Sequence, residues 1–160
     1  GRREAMERIQ RHPLNRVLRI DKLTLAALEV TLLLYRDPHA ARTRIPTLAM
    51  LSAQEGTLRR RAQKLANRLR QNLPASFAVS VRAVAGRTGG GSMPMDSIPG
   101  AGVSLRSTEF PAEEILVRLR RATPPVVARI EQDEVILDVR TLQRGQDRLI
   151  LEAVQIFSTC

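Results

Sequence analysis

Two arginines beside a proline turn are the residues best placed to do chemistry. His12-Pro-Leu-Asn-Arg-Val-Leu-Arg-Ile-Asp-Lys22 puts Arg16 and Arg19 three residues apart, after Pro13 and ahead of a strongly apolar run. A guanidinium presents a planar fork of donors that suits phosphate or carboxylate. A rigid element after the pair would hold it in place. Residue chemistry therefore gives a modest anion site, against the alternative of surface salt bridges.

Other chemistries find less support. Gly89-Gly-Gly-Ser92 lacks the lysine and following helix of a phosphate loop, since Met93-Pro94 comes next. The two histidines, His12 and His39, have no nucleophile partner and form no ligand pattern. Cys160 is the single cysteine, which excludes an internal disulfide or a cysteine metal site and fits a reducing compartment. Asp133, Glu134 and Asp138 fall at a hairpin, where turn formation and solubility explain them better than acid–base work. No metal ligand set is expected.

The 160 residues carry a net charge of +10, nearly all of it arginine, with Lys22 and Lys64 the only lysines. Such a balance permits a polyanionic partner such as RNA. Arginine-rich composition alone is the competing explanation. Aromatics make up 2% of the chain and are scattered at Tyr35, Phe77, Phe110 and Phe157, which argues against a base-stacking surface. Arg59, Arg60 and Arg61 read as the solvated side of a helix. At 43% hydrophobic and 26% charged, the chain is globular. The apolar run from Leu23 to Tyr35 is shorter than the about 20 residues a membrane span needs, so a soluble, cytoplasmic protein is expected.

Several elements must position these groups. Residues 2–11 read as a short helix stopped by Pro13, and 12–20 as an irregular turn. Asp21 caps a helix over 22–36 that is apolar almost all round and is expected to be buried. Ser52 to Glu55 reads as a capping box opening a helix over 53–72, with Leu58, Ala62, Leu65 and Leu69 on one face. Phe77, Val79 and Val81 alternate as a strand. Residues 86–101 read as a long loop and Gly102 to Arg106 as a short strand. A helix follows Pro111 to about Arg121. Two strands, 126–131 and 135–140, flank a Gln132-Asp133 turn, and 145–157 is a final helix. The order predicts an α+β unit: an antiparallel sheet with helices on one face, preceded by long helices.

HPLNRVLRIDKLTLAALEVTLLLYRDP, IPTLAML, GGGSMP and PPVVARIEQDEVILDVRTL occur in that order along nearly the whole chain. Together they resemble the bacterial selenocysteine synthase family, the L-seryl-tRNA(Sec) selenium transferases. The resemblance implies the carboxy-terminal part of a larger fold-type-I pyridoxal-phosphate enzyme. Residues 1–50 would be the end of its large cofactor domain with a connecting helix, and 51–160 its small carboxy-terminal α+β domain. It implies seryl-tRNA(Sec) and selenophosphate as substrates, pyridoxal 5'-phosphate as cofactor, and a homo-oligomer. The Schiff-base lysine is expected upstream of Gly1, so no residue of this chain is assigned to catalysis or cofactor binding. Arg16 and Arg19 match the family's arginine pair, implicated in binding the anionic selenium donor or departing phosphate. Arg129 would face a substrate group or serve structure. The resemblance gives Gly89 to Ser92 no role. Two other readings stay open: a related pyridoxal-phosphate lyase acting on a sugar acid, and a basic RNA-binding or assembly module.

Overall fold

The computed structural model describes residues 1–87 and 97–158. The chain divides into two compact units, Gly1–Ala49 and Met50–Cys160.

The first unit is helical. It holds α1 (Arg3–Arg11), α2 (Leu14–Val17), α3 (Lys22–Leu34) and α4 (Pro38–Arg44), and the division falls inside α5 (Pro46–Leu51). Glu4 in the first turn of α1 and Arg8 and Arg11 in its last complement the helix dipole. The expected irregular turn contains one helical turn, α2, and His12 Nδ1 accepts a bond from the Leu14 amide at 3.2 Å. Asp21 caps α3 as expected. Its Oδ1 accepts from the amides of Leu23 and Thr24, both at 2.9 Å, and its Oδ2 from the Thr24 hydroxyl at 2.6 Å.

The expected burial of α3 is not found. Leu34 is half-buried and every other residue of α3 is exposed, Leu23 by 83%. A helix apolar on all sides needs cover on all sides. The short helices of this unit cannot supply it, and Ala41 is the unit's only buried residue. Sequence patterning also left 38–51 without helices. Asp37 in fact caps α4 through the His39 amide at 2.8 Å, and Pro38 occupies the first turn, where its missing amide is harmless.

The second unit is α+β. Its sheet runs β1-β2-β4-β3, antiparallel throughout, from β1 (Phe77–Arg87), β2 (Ser97–Ser107), β3 (Arg129–Glu131) and β4 (Glu134–Asp138). Helices α6 (Glu55–Asn72), α7 (Ala112–Arg121) and α8 (Asp147–Ala153, continued by a 3-10 turn over Val154–Phe157) complete it. Leu58, Ala62, Leu65, Ala66 and Leu69 recur at helical spacing along α6. They share one core with Phe77 and Val79 of β1, Val103 and Leu105 of β2, and Val135 and Leu137 of β4. Each large aliphatic side chain buried there contributes about 1.5–3 kcal/mol. The helices' buried side chains thus meet one face of the sheet, as the sequence order predicts.

Three expectations about this unit are corrected. The Ser52–Glu55 capping box does not form. Helix α5 runs to Leu51, so Ser52 lies in the link to α6; Gln54 is the N-cap, without a side-chain cap bond, and Glu55 is the first helical residue. Gly86 and Arg87, and Ser97 to Ala101, were expected in a long loop but belong to β1 and β2. Pro99 and the glycines mimic a loop in sequence. However, Pro99 lies outside the β2 stretch paired with β4 (Gly102–Leu105), where proline is tolerated. Gly89 to Ser92 lie outside the described residues. Third, the phenylalanines are scattered in sequence but not in space. Phe157 sits 5.0 Å from Phe77 and 5.6 Å from Phe110, ring centre to ring centre, with the Arg118 guanidinium 4.4 Å above Phe110. This cluster belongs to the core side and offers bases no stacking platform.

Candidate functional site

The first unit contains a cleft of about 520 Å³ lined by Ala5, Arg8, Ile9, His12, Leu14 and Leu18, with Asn15. Its walls are mostly apolar, and Arg8, His12 and Asn15 supply the polar groups. Arg16 stands on α2 and Arg19 just after it, both exposed. Neither guanidinium has a hydrogen-bond or ion-pair partner among the described residues, and neither lines the cleft. The pair is therefore available to an anion from solvent. Sequence reasoning weighed His12 only as a nucleophile partner or metal ligand and gave Arg8, on the other side of Pro13, no role.

Arg129 is placed differently. It begins β3, on the sheet face turned away from the core, opposite Ile136. Its Nε bonds Glu131 at 2.6 Å and its Nη1 bonds Asp138 at 3.3 Å. Burial works against its charge, but the hydrogen bonds and charges of Glu131 and Asp138 outweigh that and hold its pKa above the ordinary value. On the same face Arg82 bonds Glu134 at 2.8 Å and Gln132 at 2.6 Å. Hence Glu134 and Asp138 hold arginines across strands, a larger role than solubility. The turn between β3 and β4 places both Gln132 (φ 52°) and Asp133 (φ 61°) in the left-handed region, as tight two-residue hairpins require.

Sequence reasoning missed Arg140, which is 8% exposed. Its Nη1 donates to the Met50 carbonyl at 2.6 Å and its Nη2 to the Pro99 carbonyl at 2.7 Å. Its Nε is buried without a partner among the described residues. The side chain lies against Gly86 and Gly100, where a Cβ would meet it at 3.5 and 3.2 Å. A Cβ at Gly100 would press on the buried guanidinium, whereas at Gly86 the contact would be an ordinary one. Only the glycine spacing on β2 hints at this in sequence.

A second cleft, of about 220 Å³, lies between α6 and the segment leading into α8. Arg61, Lys64, Leu142, Arg144, Gly145 and Asp147 line it. Arg61 is half-buried and donates to the Leu142 carbonyl at 2.6 Å, so it departs from the expected solvated run; Arg59 and Arg60 remain exposed. Arg68 pairs with Asp147. Gly145, at φ +87°, makes the turn that brings Arg144 round. Among the described residues no group of three or more His, Cys, Asp or Glu is arranged to hold a metal, and no helix is long and apolar enough to cross a membrane.

The family model described as SelA, L-seryl-tRNA selenium transferase, matches residues 1–143. The L-seryl-tRNA(Sec) selenium transferase of Solidesulfovibrio magneticus is 46% identical over 162 aligned positions, covering 100% of this chain and 34% of the relative. That of Nitratidesulfovibrio vulgaris is 47% identical, covering 89% of this chain and 30% of its own length. The Moorella thermoacetica protein of the same name is 41% identical, over 96% and 33%. The chain thus spans about a third of the length of the curated relatives it matches.

Proposed function

Because the chain belongs to the L-seryl-tRNA selenium transferase family, we propose that it is the carboxy-terminal portion of an enzyme converting seryl-tRNA(Sec) to selenocysteinyl-tRNA(Sec), with selenophosphate as selenium donor. The observation that carries this reading is the 46% identity sustained along the whole of this chain. Residues 1–50 are taken as the end of the large cofactor domain and 51–160 as the small domain. The enzyme is taken to be a cytoplasmic homo-oligomer that uses pyridoxal 5'-phosphate as electron sink.

The described residues of this chain do not themselves form a seat for that cofactor. Lys22 begins the exposed helix α3. Lys64 shares its cleft with Arg61 and Arg144, and no aromatic ring lines that cleft to stack on a pyridine. The Schiff-base lysine is therefore assigned to the part of the enzyme preceding this chain. Within the chain, Arg16 and Arg19 are assigned to the anionic selenium donor. Their exposure and lack of carboxylate partners support that, since a guanidinium already paired would have to break its pair to take a phosphate. Arg129, held by Glu131 and Asp138, is assigned to sheet structure.

The test is complementation of a strain unable to make selenocysteine by the full-length gene. Restoration is expected. Failure, with ammonia release from a sugar acid by the purified protein, would establish the lyase alternative instead.

A further inference from the structure

Several arginines of the second unit are already committed. Arg82 and Arg129 hold carboxylates on the sheet face away from the helical core, Arg118 holds Glu114, and Arg70 donates to the Val79 carbonyl. The cleft between α6 and the approach to α8 is different. Arg61, Lys64 and Arg144 face one carboxylate, Asp147, and Arg68 already holds it. Lys64 and Arg144 are exposed and have no ion pair among the described residues. Three cations around one cavity repel each other unless an anion joins them.

The size of the cleft narrows the anion. About 220 Å³ lies below the roughly 300–1,000 Å³ of cofactor and small-molecule sites. It has room for one phosphate group with its water. The absence of aromatic side chains from its lining removes base stacking. What remains is a site for a single phosphate presented by something larger.

We propose that this cleft seats a backbone phosphate of an RNA, making the α6 and Leu142–Asp147 face of the second unit a docking surface for the tRNA. This rests on the tRNA-dependent reading above. Such a contact fixes position and carries no sequence information, so the cleft serves cognate and noncognate tRNA alike.

The test uses the full-length protein and an unmodified tRNA transcript, with affinity measured across a range of salt. Lys64→Ala with Arg144→Ala removes two exposed cations of the cleft. Arg120→Ala with Arg121→Ala removes two exposed cations of α7 and serves as the control. The cleft variant should bind on the order of tenfold more weakly, with its salt slope reduced by about one, the value for a single lost phosphate contact. The α7 variant should keep the original slope. Equal losses in both variants would mean diffuse charge and overturn the proposal, as would no loss in either. Acylation of Lys64 separates the phosphate sources. Protection by the transcript supports the proposal. Protection by millimolar inorganic phosphate but not by the transcript marks a free-phosphate site and overturns it. Selenium transfer is followed separately at saturating tRNA. A protein that binds through the cleft yet transfers no selenium would count against the activity and leave the cleft standing.

Discussion

Asp21 holds the start of α3 with one carboxylate shared among three donors, and its pKa responds. The Thr24 hydroxyl and then the Thr24 amide draw it below the ordinary carboxylate value. A depressed folded-state pKa means that the cap stabilises the helix fully above the ordinary range, near pH 4, and that this contribution is lost as pH falls through the lowered folded value. Asp21→Asn, a neutral cap, should remove that dependence. The difference in helical ellipticity between the two proteins should therefore shrink on acidification, and a constant difference would contradict the assignment. Arg140 gives the opposite case, a cation held by carbonyls. Arg140→Met removes the charged donor from the Met50 and Pro99 carbonyls, which stand on a half-buried and an exposed residue, and hydrogen bonds to a charged group contribute about 1.5–3 kcal/mol. Urea unfolding should show a loss in that range, and unchanged stability would sink the role given to Arg140. Asp21 was legible in sequence because capping is local. Arg140 was not, because its partners lie 90 and 41 residues away.

The β1–β2 hairpin shows how an element hides behind its composition. Pro99 and Gly100 look like loop residues, yet both belong to β2, together with Gly102, which was expected in a strand. The reasons are contacts that pattern reading cannot see. A Cβ at Gly102 would lie 2.9 Å from the Leu137 carbonyl oxygen, which is backbone of the paired strand. At Gly100 the nearest atom, at 3.2 Å, is the end of the Arg140 side chain. Gly102→Ala must therefore force β2 from β4 and is expected to cost about 1–3 kcal/mol, whereas Gly100→Ala needs only a small guanidinium shift and should cost less. Thermal melts of the two variants test the order, and equal losses would contradict it. By contrast, Phe77, Val79 and Val81, the α6 stripe and the Gln132-Asp133 turn were all legible. Each is fixed by a period or by a turn between adjacent strands. The capping box at Ser52 failed for a related reason: its letters fit, but α5 had already claimed the preceding residues.

Burial is divided very unequally between the two units, and folding should follow that division. Met50–Cys160 owns the core, from Leu58 through Phe157. Gly1–Ala49 has a single buried residue, Ala41, while Leu23, Leu25, Leu28, Val30, Leu32 and Leu33 are exposed on one helix. Isolated helices shorter than about 12–15 residues are marginal in water, and α3 has 13. Its apolar surface stabilises nothing until something covers it. This is also why the proposed anion site was only partly legible. The residue types of Arg16 and Arg19 are plain in the sequence, but a sequence cannot report whether the helix behind them is covered. As a separate chain, 50–160 should therefore melt in one cooperative transition, with slow amide exchange in β2, β4 and the Leu58–Leu69 face of α6. A separate 1–49 chain should melt without cooperativity and exchange fast throughout, α3 included. A sharp transition for 1–49 at low concentration would show that its helices stabilise one another, and the argument from burial would fail.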